Sequence, residues 1–418
     1  MRYSVTGATA EQVKAVGGAD VRATRSGSVV FATLTEAQAR QLESLGGKVE
    51  PVARVGPAVI APPIISPPAP VEAVPTYSPQ QLAWVTGFEQ IRRMTVPPLY
   101  GEGINVAVVD TGIRAAHQLI GEERIIYRNN YTRDAPGDAF DHGTGVASIL
   151  LAMAPRCRIL DMKVLDSRGL GTEEEVALAI DDCIALRDSE PEVAPRVINL
   201  SLGSPDGGNP DEPLRVICRE AIQAGIWVVA AAGNAGPAPQ SVMSPACERY
   251  VAAVGSCKLE PFAVSDFSSR GPTREGLVKP DVAFFGEDIR MASSAGDDAT
   301  VAKSGTSFAA PFASGIAVLY QEGVLRYGGV EYVEEIPGLY PEIRYLVPVA
   351  EVIDKYASGF SAKPQGSLVE KDNDYGYGVP MGSLMVRMFE MGPALDITAL
   401  VAPLFLMAAL GMMLKVAK

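Results

Sequence analysis

The chain has 418 residues, 47% of them hydrophobic and 20% charged, a balance that fits a packed globular protein and not a disordered one. A net charge of −13, with no Lys/Arg run, argues against a nucleic-acid partner. The five cysteines are scattered and odd in number, so they form neither a CxxC metal pattern nor a dense disulfide framework, and buried free thiols are expected.

Residues 1–55 read as a small α+β unit. Helical stretches near Ala10–Val16 and Glu36–Leu45 alternate with strand-like Arg2–Val5, Ser28–Thr33 and Lys48–Val55, and Thr35 with Gln38 has the form of a capping box. A unit this small is marginal alone and is expected to lean on a larger domain. Residues 56–76 form a Pro-rich linker (Pro57, Pro62, Pro63, Pro67, Pro68, Pro70, Pro75), a composition that favours extended chain. The main domain is expected over 77–389. Its apolar runs Asn105–Val109, Arg158–Val164, Arg196–Leu200, Ile226–Ala231 and Tyr250–Val254 read as buried strands. Helical patterns lie between several of them, as at Thr172–Leu186 and Pro213–Ala224, and the alternation predicts a parallel sheet covered on both faces. Working residues of such sheets lie at the carboxyl ends of the strands. The segment 394–418 contains a charge-free run from Ile397 to Leu414, about 27 Å as a helix and so close to a bilayer core. A single-pass membrane helix is the expectation; a terminal helix packed on the domain is the alternative.

Several residue types at the strand ends carry chemistry. Asp110 closes the first strand of the main domain and suits either a ribose contact or the orientation of a histidine; Gly101 and Gly103 precede that strand, where a phosphate-binding loop would have to follow it. Only two histidines occur. His142 stands at a glycine-flanked helix start and could act as a general base, whereas His117 reads as surface or structural. Asn234 ends a strand among small residues, where its amide could stabilise an oxyanion. In Lys303–Pro311 a Gly-containing turn delivers Ser307 to the start of an apolar helix, beside free backbone N–H groups and a positive dipole end. Alone, that serine is an ordinary helix cap.

The order Asp110, His142, Ser307 is that of the subtilisin triad. With Val-Val-Asp110-Thr-Gly-Ile, His142-Gly-Thr-Gly-Val-Ala, Val-Ile-Asn199-Leu-Ser201-Leu-Gly203, Ala-Ala-Gly-Asn234 and Gly-Thr-Ser307-Phe-Ala-Ala-Pro, the chain resembles the subtilisin-like serine peptidase (subtilase) family over roughly residues 100–380. Asp266–Pro272, Lys279–Val282 and Tyr375–Gly378 are supporting matches. The resemblance implies a three-layer α/β fold with a mainly parallel sheet between helices. It implies Ser307 as nucleophile, His142 as base and then acid, Asp110 as its orienting partner, and an oxyanion hole from Asn234 and the Ser307 N–H. Ser201, Leu202 and Gly203, with Ala231, Ala232 and Gly233, would flank a polypeptide substrate, the first segment by strand addition. Ala235 follows Asn234 with no acidic cluster nearby, so no strict demand for a basic residue at the cleaved position is expected.

By the same resemblance, residues 1–55 are similar to the family's propeptide, an intramolecular inhibitor whose tail crosses the active site, with self-cleavage expected within about Ala53–Tyr77. No cofactor is implied. The run Val146–Pro155 joins the histidine helix directly to the next strand, without the loop that builds a tight calcium site in many relatives, so no metal is expected there. Peptide transfer on the same acyl-enzyme, or peptide binding without catalysis, remain as alternative activities. Lys415 and Lys418 favour a cytoplasmic C-terminus. The lack of a signal-like N-terminus and the unpaired cysteines favour a catalytic domain kept inside, so the face of the membrane stays open.

Overall fold

The computed structural model describes residues 1–58, 76–94, 98–327, 361–364 and 370–382. Strands β1 (Arg2–Thr6), β2 (Ala19–Ala23), β3 (Val29–Thr33) and β4 (Lys48–Pro51), with helices α1 (Ala10–Ala15) and α2 (Glu36–Ser44), build the first unit around a sheet of order β2-β3-β1-β4. Both helices open on a capping box, Thr9 with Gln12 and Thr35 with Gln38, as the sequence pattern at Thr35 predicts. Strand β3 is buried on both sides. Val30 and Ala32 join Val5, Val13 and Leu42 in the unit's own core, while Val29 and Phe31 belong to the core of the following domain. Period-two alternation thus glues the unit to its neighbour. Strand β5 (Arg54–Pro57) then leaves the unit, so the segment expected to be one strand over Lys48–Val55 is two.

After α3 (Pro79–Val85) and α4 (Phe88–Met94) the main domain begins with β6 (Asn105–Asp110), β7 (Ile125–Asn130), α5 (Gly143–Met153), β8 (Arg158–Lys163), β9 (Gly171–Thr172) and α6 (Glu173–Ser189). It continues through β10 (Val197–Leu200), β11 (Leu202–Gly203), α7 (Pro213–Gln223), β12 (Trp227–Ala231), β13 (Ala252–Lys258), β14 (Ala263–Val264) and β15 (Val282–Phe285). The hairpin β16 (Ile289–Ala292) and β17 (Thr300–Lys303) leads into the long α8 (Thr306–Tyr327), and short β18 (Ser361–Ala362) pairs with β19 (Val379–Pro380). The sheet runs β14-β13-β12-β10-β6-β8-β7, with β15 also on β13. Its pairings are parallel except that of β14.

Alternate side chains of the central strands enter two cores. Val106, Val108 and Val229 pack with α5 and α8, whereas Ala107, Val109 and Val228 pack with α6 and α7. This is the expected three-layer α/β architecture, helices on both faces of a mainly parallel sheet. From β6 the chain goes first to β8 and β7 on one side and then to β10 on the other, which opens a crevice at the carboxyl ends of β6 and β10. All five cysteines are free and buried, as their spacing suggests. Helix α5 passes directly through Ala154-Pro155 to β8. The linker after Ala58 and the apolar run at 397–414 lie outside the described residues; among the described residues no helix is long and apolar enough to cross a membrane.

Candidate active site

Asp110 ends β6, and its Oδ1 lies 2.7 Å from Nδ1 of His142, both side chains being buried. The Thr111 N–H donates to the same oxygen at 2.7 Å. A carboxylate can only accept, so Nδ1 carries the hydrogen and the lone pair of His142 is left on Nε2. That nitrogen is buried and has no hydrogen-bond partner.

His142 stands immediately before α5, and a residue not singled out from the sequence holds it there. Asp138 accepts from the N–H groups of Asp141 (2.9 Å), His142 (3.0 Å) and Thr144 (2.9 Å) and from Thr111 Oγ1 (2.8 Å). Three free N–H groups around a helix start are thereby satisfied by one carboxylate. Gly143 is required by space: a methyl there would meet the Gly112 carbonyl at 2.3 Å and Asp110 Oδ1 at 3.1 Å. His117 is structural but buried, with Nε2 2.8 Å from the Ala299 carbonyl and Nδ1 accepting from Leu119 N–H at 3.1 Å.

Ser307 is the second residue of α8. Its hydroxyl donates to the Ser201 carbonyl at 2.9 Å, and Ser201 Oγ donates back to the Ser307 carbonyl at 2.8 Å. Asn199 extends this tie, with Nδ2 donating to Ser201 Oγ at 3.0 Å and Oδ1 accepting from Ser314 Oγ at 2.8 Å. The end of β10 and the start of α8 are therefore locked together by buried side chains. Asn234 is turned by Thr306, whose N–H and hydroxyl both reach its Oδ1 at 3.0 Å. Its Nδ2 is buried without a partner.

The cleft is spanned by the chain itself. Strand β5 lies between β11 and β9, antiparallel to both, with Pro57 opposite Leu202, Gly56 opposite Gly203 and Val55 opposite Gly171. Ala58 N–H donates to the Ser201 carbonyl at 3.3 Å, and the Ala58 carbonyl accepts from the Ser307 N–H at 3.2 Å. The carbonyl of Ala58 thus sits on a donor of the residue that carries the serine hydroxyl, between Thr306, which holds Asn234, and Phe308, whose ring centroid is 5.3 Å from that of His142. Leu202 and Gly203 pair with this strand and Ser201 accepts from Ala58, while Ala231, Ala232 and Gly233, just before Asn234, are buried.

The unit that carries β5 is held by charge as well as by Val29 and Phe31. Arg2 Nε donates to Glu174 at 2.7 Å, its Nη2 pairs with the same carboxylate, and Lys48 pairs with Asp211. Arg25 N–H reaches Asp181 at 3.1 Å, and Ser26 Oγ reaches Glu220 at 2.8 Å. Ala53 exchanges hydrogen bonds with Glu173, whose carboxyl burial pushes up to about 6. Basic groups of the small unit meet acidic groups of the main domain.

Known proteins are similar to this chain over about half of its length. The chain is 32% identical over 255 residues to the serine protease AprX of Bacillus subtilis (strain 168), covering 53% of this chain and 57% of that protein. It is 34% identical over 222 residues to a subtilisin-like protease of Coccidioides posadasii, covering 52% of each, and 31% identical over 244 residues to a subtilisin of a Bacillus species, covering 52% and 56%. The chain spans about half the length of these curated relatives. The model of the Subtilase family matches residues 101–336, more than half of the chain. The chain belongs to the subtilase family.

Proposed function

We propose that the protein is a serine endopeptidase, made with its N-terminal unit bound across the active site and released by cutting itself. The observation that carries this is the seat of Ala58: its carbonyl meets the Ser307 N–H while the preceding residues are strand-paired to Leu202 and Gly203. In a reaction on this frame, the Ser307 hydroxyl turns from the Ser201 carbonyl to Nε2 of His142 and attacks the peptide carbonyl carbon. His142 takes the proton, and the Asp110 carboxylate stabilises the resulting imidazolium. The negative oxygen that develops is met by the Ser307 N–H and by Asn234 Nδ2. His142 then gives its proton to the leaving amine, and water repeats the cycle on the acyl-enzyme.

The bond so presented in the chain itself joins Ala58 to Val59. The test compares wild type with Ser307→Ala. Wild type is expected to yield a fragment beginning at Val59 by mass spectrometry and to react with a fluorophosphonate probe. Ser307→Ala is expected to stay intact and unlabelled. A wild-type protein that is never trimmed and never labelled would sink the proposal.

The enzyme on this reading is tethered to a membrane by the charge-free run Ile397–Leu414, which lies between Asp396 and Lys415. Extraction from membranes by detergent but not by high salt supports the tether; release by salt alone overturns it.

A further inference from the structure

His142 comes from the turn before α5 and Ser307 from the first turn of α8. Among the described residues no hydrogen bond joins the two side chains: Nε2 of His142 has no partner, and the Ser307 hydroxyl points to the Ser201 carbonyl. The spacing of base and nucleophile is therefore set by whatever holds the two turns together.

The hairpin β16–β17 leads into Ser307 and also packs on the start of α5. A methyl on Gly145 would fall 2.5 Å from Met291 Sδ, and the Ala292 N–H donates to Ser148 Oγ at 3.1 Å. Both sides of the hairpin then converge on Asp141, the residue before His142. After β16, the Ser294 N–H donates to Asp141 Oδ1 at 2.6 Å. On β17, Lys303 stands four residues before Ser307 (307 − 303 = 4) and donates its ammonium to the Asp141 carbonyl, with Asp141 Oδ2 3.1 Å away.

Asp141 needs such support. Its φ is 65°, in the left-handed region that a residue with a Cβ enters at a cost. Asp138 takes the Asp141 N–H at 2.9 Å, and Ser294 and Lys303 take the carboxylate and the carbonyl that remain. Because His142 is the next residue, rotation at Asp141 redirects the imidazole. Asp110 and Asp138 hold His142 to β6 and to its own turn, and the Lys303 contact ties that turn to the strand leading to Ser307.

We propose that Lys303 is a positioning residue: through Asp141 it holds the left-handed turn that aims the His142 imidazole at Ser307. This rests on the endopeptidase reading above.

The test uses the full-length protein after self-processing. It measures the rate of labelling by a fluorophosphonate probe, and kcat and KM on a quenched peptide with the sequence of residues 54–61. Lys303→Met is expected to slow labelling and lower kcat by about 10-fold or more, since a small misplacement of base and nucleophile is costly, and to leave KM nearly unchanged. Glycine adopts a positive φ unaided, so in an Asp141→Gly chain the same Lys303→Met change is expected to cost about 3-fold or less. A lysine that served only general stability would cost the same in both backgrounds. Lys303→Gln replaces Lys303→Met should the latter not fold. Labelling of wild type and Lys303→Met at equal rates overturns the positioning role alone. So does a loss confined to KM, which makes Lys303 a substrate contact, or an equal loss with and without Asp141→Gly. A wild-type protein that is neither labelled nor active overturns the endopeptidase reading with it.

Discussion

The amide of Asn234 has one orientation that satisfies its neighbours. Thr306 offers an N–H and a hydroxyl at 3.0 Å, and the backbone N–H needs an oxygen, so Oδ1 must face Thr306 and Nδ2 must face the cleft. A donor held this way stabilises charge only when an oxyanion forms. Asn234→Ala is therefore expected to lower kcat by about 10²–10³ and leave KM nearly unchanged, measured on a peptide substrate. An equal loss in KM would assign Asn234 to ground-state binding instead. Asn234 and Ser307 were readable from the sequence because each sits in a local motif. Asp138 was not. Asp138 acts through backbone N–H groups whose direction depends on the turn before α5.

At the scale of elements, the central strands were legible because both their faces are buried, which leaves continuous apolar runs such as Val106–Val109. Strand β7 was missed because it lies at the sheet edge, half-exposed and rich in Arg and Asn. The strand expected at Tyr250–Val254 instead runs Ala252–Lys258, since polar Ser256 and Cys257 are as buried as the valines. Helix α7 hides a titration. Burial first, and then Glu173, pushes the Glu212 carboxyl at its N-cap up to about 8; Arg215 pulls against this while Asp206 and Glu50 add to it. Ser244 Oγ donates to that carboxyl, and both residues are buried. Below the ordinary carboxylate range both folded and unfolded chains hold the proton. Above it the unfolded chain ionises first, so stability falls as pH rises and levels off beyond about 8. Glu212→Gln keeps the amide in place of the acid and removes this slope. The variant is expected to melt higher than wild type at pH 8, by a stability difference of about 1 kcal/mol or more, and to converge with it near pH 4. Parallel melting curves across that range would show that Glu212 ionises normally.

For the whole molecule, the question on the proposed reading is what would keep the N-terminal unit docked once the Ala58–Val59 bond is cut. Two kinds of contact compete. The Arg2–Glu174 pair is partly exposed, and such pairs contribute about 1 kcal/mol or less. Val29 and Phe31 are fully buried against the main domain, and truncating a buried Phe costs about 3–5 kcal/mol. The unit's own core uses the other face of β3, through Val30 and Ala32, so Phe31→Ala weakens docking more than folding of the unit. The apolar contact should decide. On the proposed reading, Phe31→Ala is expected to raise the dissociation constant of the cut fragment by about 100-fold or more, and Glu174→Ala by about 5-fold. Added salt should weaken the hold of wild type only slightly, because screening acts on the minor term. Recovery of peptidase activity on diluting the processed protein measures this, Phe31→Ala recovering at concentrations where wild type stays inhibited. If Glu174→Ala releases the fragment as readily as Phe31→Ala, the basic-on-acidic contacts carry the docking, and the N-terminal unit is held by charge.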